Sequence, residues 1–451
     1  MAAPFQPRLS DEVLPLMRER FRRCAQDPDL GRTLTARAMA DFPPHPGWER
    51  LQAELLERIR AGTRRVEHVI LVPNRDFWMV VDEAALAAVL PPETTIRLYF
   101  GPEGRMDASP WYPTYDVRQC LPLILGLLRA LAPASVYMRG SAQFKCEHLG
   151  VAVKASLPGL FLAFEVYDYA GMFEDVFLEA WGQSPELAAS TRDAEAFLGL
   201  RADFLIDKTP GAEWEDAARA LVQAPRRAYV PALGARCPAP GPAAPRRPGP
   251  FRLLCAGSMP YFKNYRPGEG FPAWAYQNIV DPMVRVAREA DMSVDIFNAS
   301  HDPQMDHWPA FGGYAGLLAP GRGAYHARIP LAELRERVPG YDFGMFLFAA
   351  SAVPVDYPLQ QSLPNRCMSY IEGHLPLIVN REMRCLAELV ERFGAGIVLA
   401  GSEVEQLPGC IRAADLEAMR RGAGAMHRHL LQRNGEALAA FAQALAQGRS
   451  A

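Results

Sequence analysis

The chain has 451 residues, more than one hydrophobic core usually organises, so two domains with extensions are expected. A formal net charge of -3 gives no general attraction for nucleic acid or anionic lipid, and we predict no nucleic-acid partner. The eight cysteines form no CxxC pair, which argues against zinc ribbons and redox motifs and favours reduced, buried thiols.

Residues 1–64 predict a helical N-terminal extension. Its first helix carries an apolar stripe of Leu14, Met17 and Phe21 opposite several arginines. Such a stripe more often packs on its own protein, and peripheral membrane contact stays open as the alternative. The N-terminus lacks a secretory pattern and no segment reaches the roughly 20 apolar residues of a spanning helix, so we expect a cytoplasmic protein.

Residues 65–232 alternate strand-length apolar runs with helix-length segments, which predicts βαβ units and a mostly parallel sheet. The Pro- and Gly-rich residues 233–250 predict a surface linker and a domain boundary. Residues 251–415 repeat the alternation, which indicates a second α/β domain. Residues 416–451 predict a helix that crosses back to the first domain.

The loop after the run FRLLCAGS is a candidate phosphate site. Gly257 and Ser258 leave the predicted strand, and Lys263 and Arg266 follow. Ligands of parallel sheets bind outside the carboxyl ends of strands, where loops supply unpaired amides. This arrangement suits a diphosphate, although solvated loop cations are the alternative interpretation.

A second candidate segment reads LPNRCMSYIEGHLPLIVN. Asn365 stands at a predicted helix entry, and Arg366, Ser369 and Glu372 follow on one helix face. A carboxylate at Glu372 could accept both hydroxyls of a ribose. The alternative is a surface ion pair between Glu372 and Arg366.

In the first domain, Arg139 follows one strand, and Glu165 and Asp168 close the next. Side chains at neighbouring strand ends share a crevice, which suits binding or activation of a hydroxyl acceptor. An inter-strand ion pair that shapes the loops is the alternative.

Other motifs weigh less. The run HDPQMDH, residues 301–307, fits no common zinc spacing, so we predict a polar loop, no metal site and no cofactor. Neither GxxxxGK[ST] nor GxSxG occurs, which disfavours nucleotide triphosphatases and serine hydrolases.

Over residues 65–445 the chain resembles GT-B fold glycosyltransferases, closest to the retaining family 4 type. The matching segments are MRG, FEVYD, RADFLID, AGSMPYFKNYR, YDFGMFLF and LPNRCMSYIEGHLPLIV. The resemblance implies two Rossmann-like parallel-sheet domains facing a cleft. It also implies metal-independent hexosyl transfer from a nucleotide sugar, bound to the C-terminal half, to a hydroxyl of a glycan, lipid or protein acceptor.

The resemblance assigns roles to the candidate residues. It places the donor on Gly257, Ser258, Asn365 and Ser369, with the diphosphate held by Lys263, Arg266 and Arg366. Arg139 and Asp168 become the catalytic candidates at the acceptor.

Departures from the family pattern keep two alternatives open. The two family glutamates correspond to Gln361 and Ser369, and Glu372 is expected to take over the ribose contact. The family lysine is Arg366 and the glycine before Leu-Pro is His374. A non-catalytic binding or scaffold protein and a sugar-nucleotide epimerase therefore remain alternatives.

Overall fold

A computed structural model describes residues 10–63, 65–73, 79–101, 109–140, 145–166, 169–173, 178, 184–207, 209, 211–228, 249–257, 280–298, 322–327, 329–347 and 360–448. The chain divides into two compact units. The first unit comprises Arg8–Ala235 and Arg433–Ala451, and the second includes Arg236–Gln432.

The first unit begins with three helices, Ser10–Gln26, Leu30–Asp41 and Trp48–Gly62. In the first of them Met17 and Phe21 are buried, together with Val13 and Cys24 at helical spacing. This apolar stripe packs against the helix Pro185–Arg201 of the same unit, where Arg23 donates to Asp193 at 2.8 Å. The stripe thus serves internal packing.

The first unit carries a seven-stranded sheet in which every pairing is parallel. Its order is β3-β2-β1-β4-β5-β6-β7, and the strands are β1 His68–Val72, β2 Thr95–Tyr99, β3 Thr114–Asp116, β4 Ser135–Arg139, β5 Phe161–Val166, β6 Phe204–Asp207 and β7 Arg226–Ala228. Every residue of β1, β2 and β4 is buried, as in a sheet covered on both faces.

Helices connect these strands, and local chemistry sets their ends. They are Met79–Leu86, Leu121–Leu131, Cys146–Ser156, Pro185–Arg201 and Ala212–Leu221. Ser184 caps the fourth of these helices, because its side chain accepts from Leu187 N–H, and Pro185 occupies the first helical position.

The second unit carries a six-stranded parallel sheet of order β10-β9-β8-β11-β12-β13. Its strands are β8 Phe251–Gly257, β9 Met292–Asn298, β10 Tyr325–Ala327, β11 Phe343–Phe346, β12 Leu377–Asn380 and β13 Gly396–Leu399. The helices are Val280–Arg288, Leu331–Arg337, Asn365–Glu372, Arg384–Phe393 and Leu407–Ala413. Both sheets therefore follow one doubly wound order, with the first strand beside the second and fourth.

The last helix, Leu416–Gly448, belongs to both units, with residues through Gln432 in the second and from Arg433 in the first. In the first unit Phe441 stacks on Phe204 at 5.4 Å between ring centroids and contacts Tyr137 at 6.0 Å. Ala437 and Leu445 extend this apolar cluster under the sheet. No helix in the described ranges has both the length and the apolar character needed to cross a bilayer.

The predicted fold class, two parallel-sheet α/β domains, is confirmed. Two strands were missed, β3 and β10, and each is a three-residue strand at the edge of its sheet. Such strands are too short to show a hydrophobic period, so only pairing with a neighbour defines them.

Candidate functional site

The strand order locates a candidate site in the second unit. The direction of winding reverses between β8 and β11, which pair with each other. Open α/β sheets bind ligands outside the carboxyl ends of their strands at this reversal. Here β8 ends at Gly257, β11 ends at Phe346, and the helix Asn365–Glu372 leads to β12. We call this side of a sheet, where its strands end, the carboxyl edge.

Gly257 has a backbone that only glycine adopts without strain. Its φ is +130°, and a Cβ atom there would lie 2.9 Å from the Cβ of Arg366 and 3.3 Å from its Nε. The backbone at the end of β8 therefore touches the first turn of the helix Asn365–Glu372. A ligand that reaches the Gly257 turn also reaches Arg366.

Arg366 stacks its guanidinium over the ring of Phe346, 4.8 Å from the ring centroid. Phe346 is buried at the end of β11, whereas Arg366 is half-buried. Stacking restricts the orientation of the guanidinium, a planar group whose N–H donors match the geometry of oxyanions. Phe346 was not among the residues singled out from sequence, although it lies in the YDFGMFLF segment.

Tyr370 joins the helix to β8 and was also missed. Its buried hydroxyl accepts a hydrogen bond from Ala256 N–H at 2.5 Å, next to Gly257. Gly344 leaves room for the ring, since a Cβ there would lie 2.5 Å from Tyr370. An aromatic residue in a predicted helix one turn after Arg366 was the available signal, but its partner lies 114 residues away.

Two cysteines, Cys255 and Cys367, lie beside Arg366 and Tyr370. Burial raises the pKa of Cys255 to about 11 and that of Cys367 to about 12, and nearby Arg366 only partly offsets this. Both thiols are protonated at neutral pH, so neither supplies a thiolate nucleophile.

Ser369 and Gln361, the two positions where the sequence resemblance expects glutamates, are buried, with exposed fractions of 7% and 2%. The backbone carbonyl of Ser369 accepts from Gly373 N–H at 3.1 Å. Neither residue offers a carboxylate.

Glu372 lies away from this cluster, which argues against its expected ribose contact. Arg335 donates to both of its carboxylate oxygens, at 2.7 and 2.8 Å, and Glu372 is only 4% exposed. At the next residue, a Cβ on Gly373 would collide with Val338, at 2.3 Å from that side chain. Val338 precedes β11, so this end of the helix lies near the start of the strand, whereas ligands bind beyond its end. We therefore remove Glu372 from the donor site and assign it to a structural ion pair.

At the carboxyl edge of the first sheet, Arg139 is 2% exposed and its Nε lies 2.7 Å from Glu165 Oε1 on the paired strand β5. The hydroxyl of Tyr137 donates to Glu165 Oε2. The contact is the inter-strand ion pair that the sequence left as the alternative. A buried guanidinium held in this way orients the strand ends rather than presenting its charge to an acceptor.

The carboxylate of Asp207, the last residue of β6, is likewise bound by neighbouring groups inside the protein. The fully buried carboxylate accepts from Trp214 Nε1 at 2.6 Å, Arg226 Nε at 2.8 Å, Thr209 N–H at 2.7 Å and the Tyr169 hydroxyl at 3.1 Å. The lone pairs of an ionised carboxylate are largely used by four such donors.

Several expected site residues lie outside the described residues: Ser258, Lys263, Arg266, Asp168 and the run 301–307. The same holds for the predicted linker up to residue 248 and for the side chain of Asn365. Within the described ranges, no three His, Cys, Asp or Glu side chains are grouped as metal ligands.

Comparison with known proteins gives a structural likeness. No protein-family model matches the chain, and no curated protein matches it. Anabaena Alr3699/HepE in complex with UDP-glucose superposes with a TM-score of 0.54 at 9% identity, covering 83% of this chain and 99% of that one. A glycosyltransferase from Rickettsia africae ESF-5 gives 0.51 at 10% identity, covering 85% and 98%. The chain thus has the fold of these proteins, two parallel-sheet α/β domains of the GT-B kind.

Proposed function

We propose that this protein is a glycosyltransferase that moves a sugar from a nucleotide-sugar donor to a hydroxyl acceptor. The observation that carries the proposal is the contact between the Gly257 turn and Arg366 at the reversal point of the second sheet. The likeness to Alr3699/HepE, which was solved with UDP-glucose, supports the same class of donor.

On this proposal the donor diphosphate lies at the end of β8. The Gly257–Ser258 backbone and the side chains of Lys263, Arg266 and Arg366 stabilise the charge that develops on the departing diphosphate. Guanidinium and ammonium groups can supply that stabilisation directly, so we propose metal-independent transfer.

The acceptor binds at the carboxyl edge of the first sheet, with Asp168 as the proposed catalytic residue. Arg139 acts there as a positioning residue, since its pair with Glu165 fixes the ends of β4 and β5. We assign hexosyl transfer of the retaining family 4 type on the strength of the segment resemblance. The proposed setting is the cytoplasm.

The proposal is tested by calorimetric titration with a panel of nucleotide sugars, followed by assay of sugar transfer to a panel of hydroxyl acceptors. We expect Gly257→Ala to weaken donor binding at least tenfold, because its Cβ would push on Arg366. The control is Gly249→Ala, which has a similar φ of +137° but no described residue, other than its chain neighbours, within 4 Å of the added Cβ. Equal affinities in the two variants, or binding of no nucleotide sugar, would refute the donor site.

A nucleotide-sugar-binding protein without transfer is the second candidate. The specific observation in its favour is that Gln361 and Ser369 replace both family glutamates, while Glu372 is held by Arg335. Binding of a nucleotide sugar with no transfer to any acceptor and no turnover of the donor would favour this candidate.

A further inference from the structure

A cavity of 490 Å³ lies in the first unit. Its lining shares Arg226 with the Asp207 cluster but includes neither Arg139 and Glu165 nor the residues of the proposed donor site. Its walls come from the helix Ala212–Leu221, the segment that enters β7, and the part of the last helix that begins at Arg433. A volume of this size falls within the range of small-molecule sites, roughly 300–1,000 Å³. Part of the lining is small and apolar, and the charged part consists of Glu215, Arg219, Arg226, Arg227, Arg433 and Glu436.

Two of the four arginines neutralise carboxylates inside the protein. Arg226 donates to Asp207, and its side chain is only 12% exposed. Arg433 pairs with Glu215 across the two helices, and both side chains are about three-quarters buried. These pairs fix the walls, because each joins two elements of the unit.

The other two arginines are exposed at the surface end of the lining. Arg219 pairs with Asp216 one helical turn earlier, where the side chains are 73% and 74% exposed, so water screens that pair and a competing anion can replace it. Arg227 donates to the carbonyl oxygen of Arg226 at 2.8 Å. The side chain of Arg227 is exposed. The cavity therefore has two exposed guanidinium groups at its surface end, and both arginine and glutamate side chains line its interior.

This lining matches a ligand with two chemically different parts. Guanidinium groups bind phosphate and carboxylate oxygens through paired N–H donors. Carboxylates such as Glu215 and Glu436 accept from hydroxyl groups, and the small apolar residues contact the C–H face of a ring. We propose that the cavity binds a sugar carrying an anionic substituent, with the anion on Arg219 and Arg227 and the hydroxyls toward Glu215 and Glu436. This site is independent of the proposed transferase reaction.

The test is calorimetric titration of the full chain with glucose 6-phosphate, glucuronate, glucose and inorganic phosphate. We expect at least one of the two anionic sugars to bind, and to bind at least tenfold more tightly than either glucose or phosphate. Whichever of glucose 6-phosphate and glucuronate binds more tightly identifies the anion as phosphate or carboxylate. Phosphate binding as tight as that of the sugar phosphate would overturn the sugar assignment, and binding of neither anionic sugar would overturn the site.

Variants locate the binding. The double variant Arg219→Gln/Arg227→Gln should weaken the better anionic sugar at least tenfold, which corresponds to about 1.4 kcal/mol. Arg129→Gln/Arg201→Gln removes the same charge from two exposed positions of the same unit outside the lining and should have little effect. Equal losses of affinity in the two double variants would show that the effect comes from net charge alone and would overturn the proposal. A tenfold loss of the anionic sugar in Arg366→Gln would likewise overturn it, since Arg366 belongs to the proposed donor site in the other unit.

Discussion

The two units share one strand order but use their carboxyl edges differently. In the first sheet the charged residues at strand ends bind each other, as Arg139 does Glu165 and as Asp207 does Arg226. In the second sheet the corresponding edge combines a glycine turn at Gly257 with a guanidinium stacked on Phe346. A shared topology therefore creates two crevices without deciding which one receives a charged ligand.

The difference follows from where opposite charges can meet. Arg139 and Glu165 are register partners on adjacent strands, so their side chains are held together by the sheet itself. Arg366 lies on a helix, and its guanidinium stacks on the polarisable ring of Phe346. The first arrangement stabilises the fold, and the second suits an anionic ligand.

The largest expected effect is a loss of stability at the carboxyl edge of the first sheet. Arg139→Ala leaves the buried Glu165 without this partner and should lower the free energy of unfolding by about 3–5 kcal/mol, measured by urea denaturation. The double variant Arg139→Met/Glu165→Leu should recover most of the loss, because no buried charge remains at the pair. Normal stability with lost transfer in Arg139→Ala would instead make Arg139 catalytic and break the contrast.

On the second edge, Arg366→Gln should weaken nucleotide-sugar binding by about 1.5–3 kcal/mol, roughly tenfold to a hundredfold, through loss of charged hydrogen bonds. Arg366→Lys should lose less, since the charge stays but the planar stacking on Phe346 is lost. The matched control is Arg392→Gln, which removes an exposed arginine 5.1 Å from the ring centroid of Phe393 in the same unit. Calorimetry that gives Arg366→Gln and Arg392→Gln equal affinities would remove Arg366 from the site.

Substitution of Glu372 tests whether the C-terminal end of the helix Asn365–Glu372 has only a structural role. Glu372→Gln should cost about 1.5 kcal/mol of stability, near the lower end for charged hydrogen bonds because Arg335 is 34% exposed. Donor affinity should not change. Glu333→Gln, in an exposed pair with Arg337, provides the same substitution with an expected cost below about 0.5 kcal/mol. A loss of donor affinity at unchanged stability would restore the ribose role.

The smallest effect concerns pH and a histidine pair next to the same helix. His374 Nε2 lies 3.1 Å from His427 Nδ1, and burial, His427 and Arg428 lower the pKa of His374 from 6.5 to about 4. Burial also lowers the pKa of His427. Because the unfolded chain binds these protons more readily, stability should fall as the pH drops from about 6.5 toward 4.

Thermal denaturation across this pH range provides the measurement. His374→Gly should flatten the pH dependence, since it removes one imidazole and suits the backbone φ of +51° at that position. An unchanged acid slope in this variant would show that the destabilisation originates elsewhere.

Much of the fold was predictable because its signals are local. Buried strands such as HVILV are apolar on both faces, and the strand-helix alternation recurs on both sides of a Pro- and Gly-rich segment. The end of β8 at Gly257 was predictable as well, since a glycine after an apolar run marks the point where a strand stops. The three-residue edge strands β3 and β10 were not, because pairing rather than pattern defines them.

The sequence by itself determined the two α/β units, their parallel sheets and which strands end at each carboxyl edge. These features follow from burial periodicity and turn chemistry, which are properties of short stretches of chain. Only the tertiary structure decided the partner of each charge. Glu372 binds Arg335 from 37 residues away rather than the nearby Arg366, and Arg366 instead meets Phe346 and the end of β8. Such contacts depend on how separate elements pack, and spacing along one helix does not contain that information.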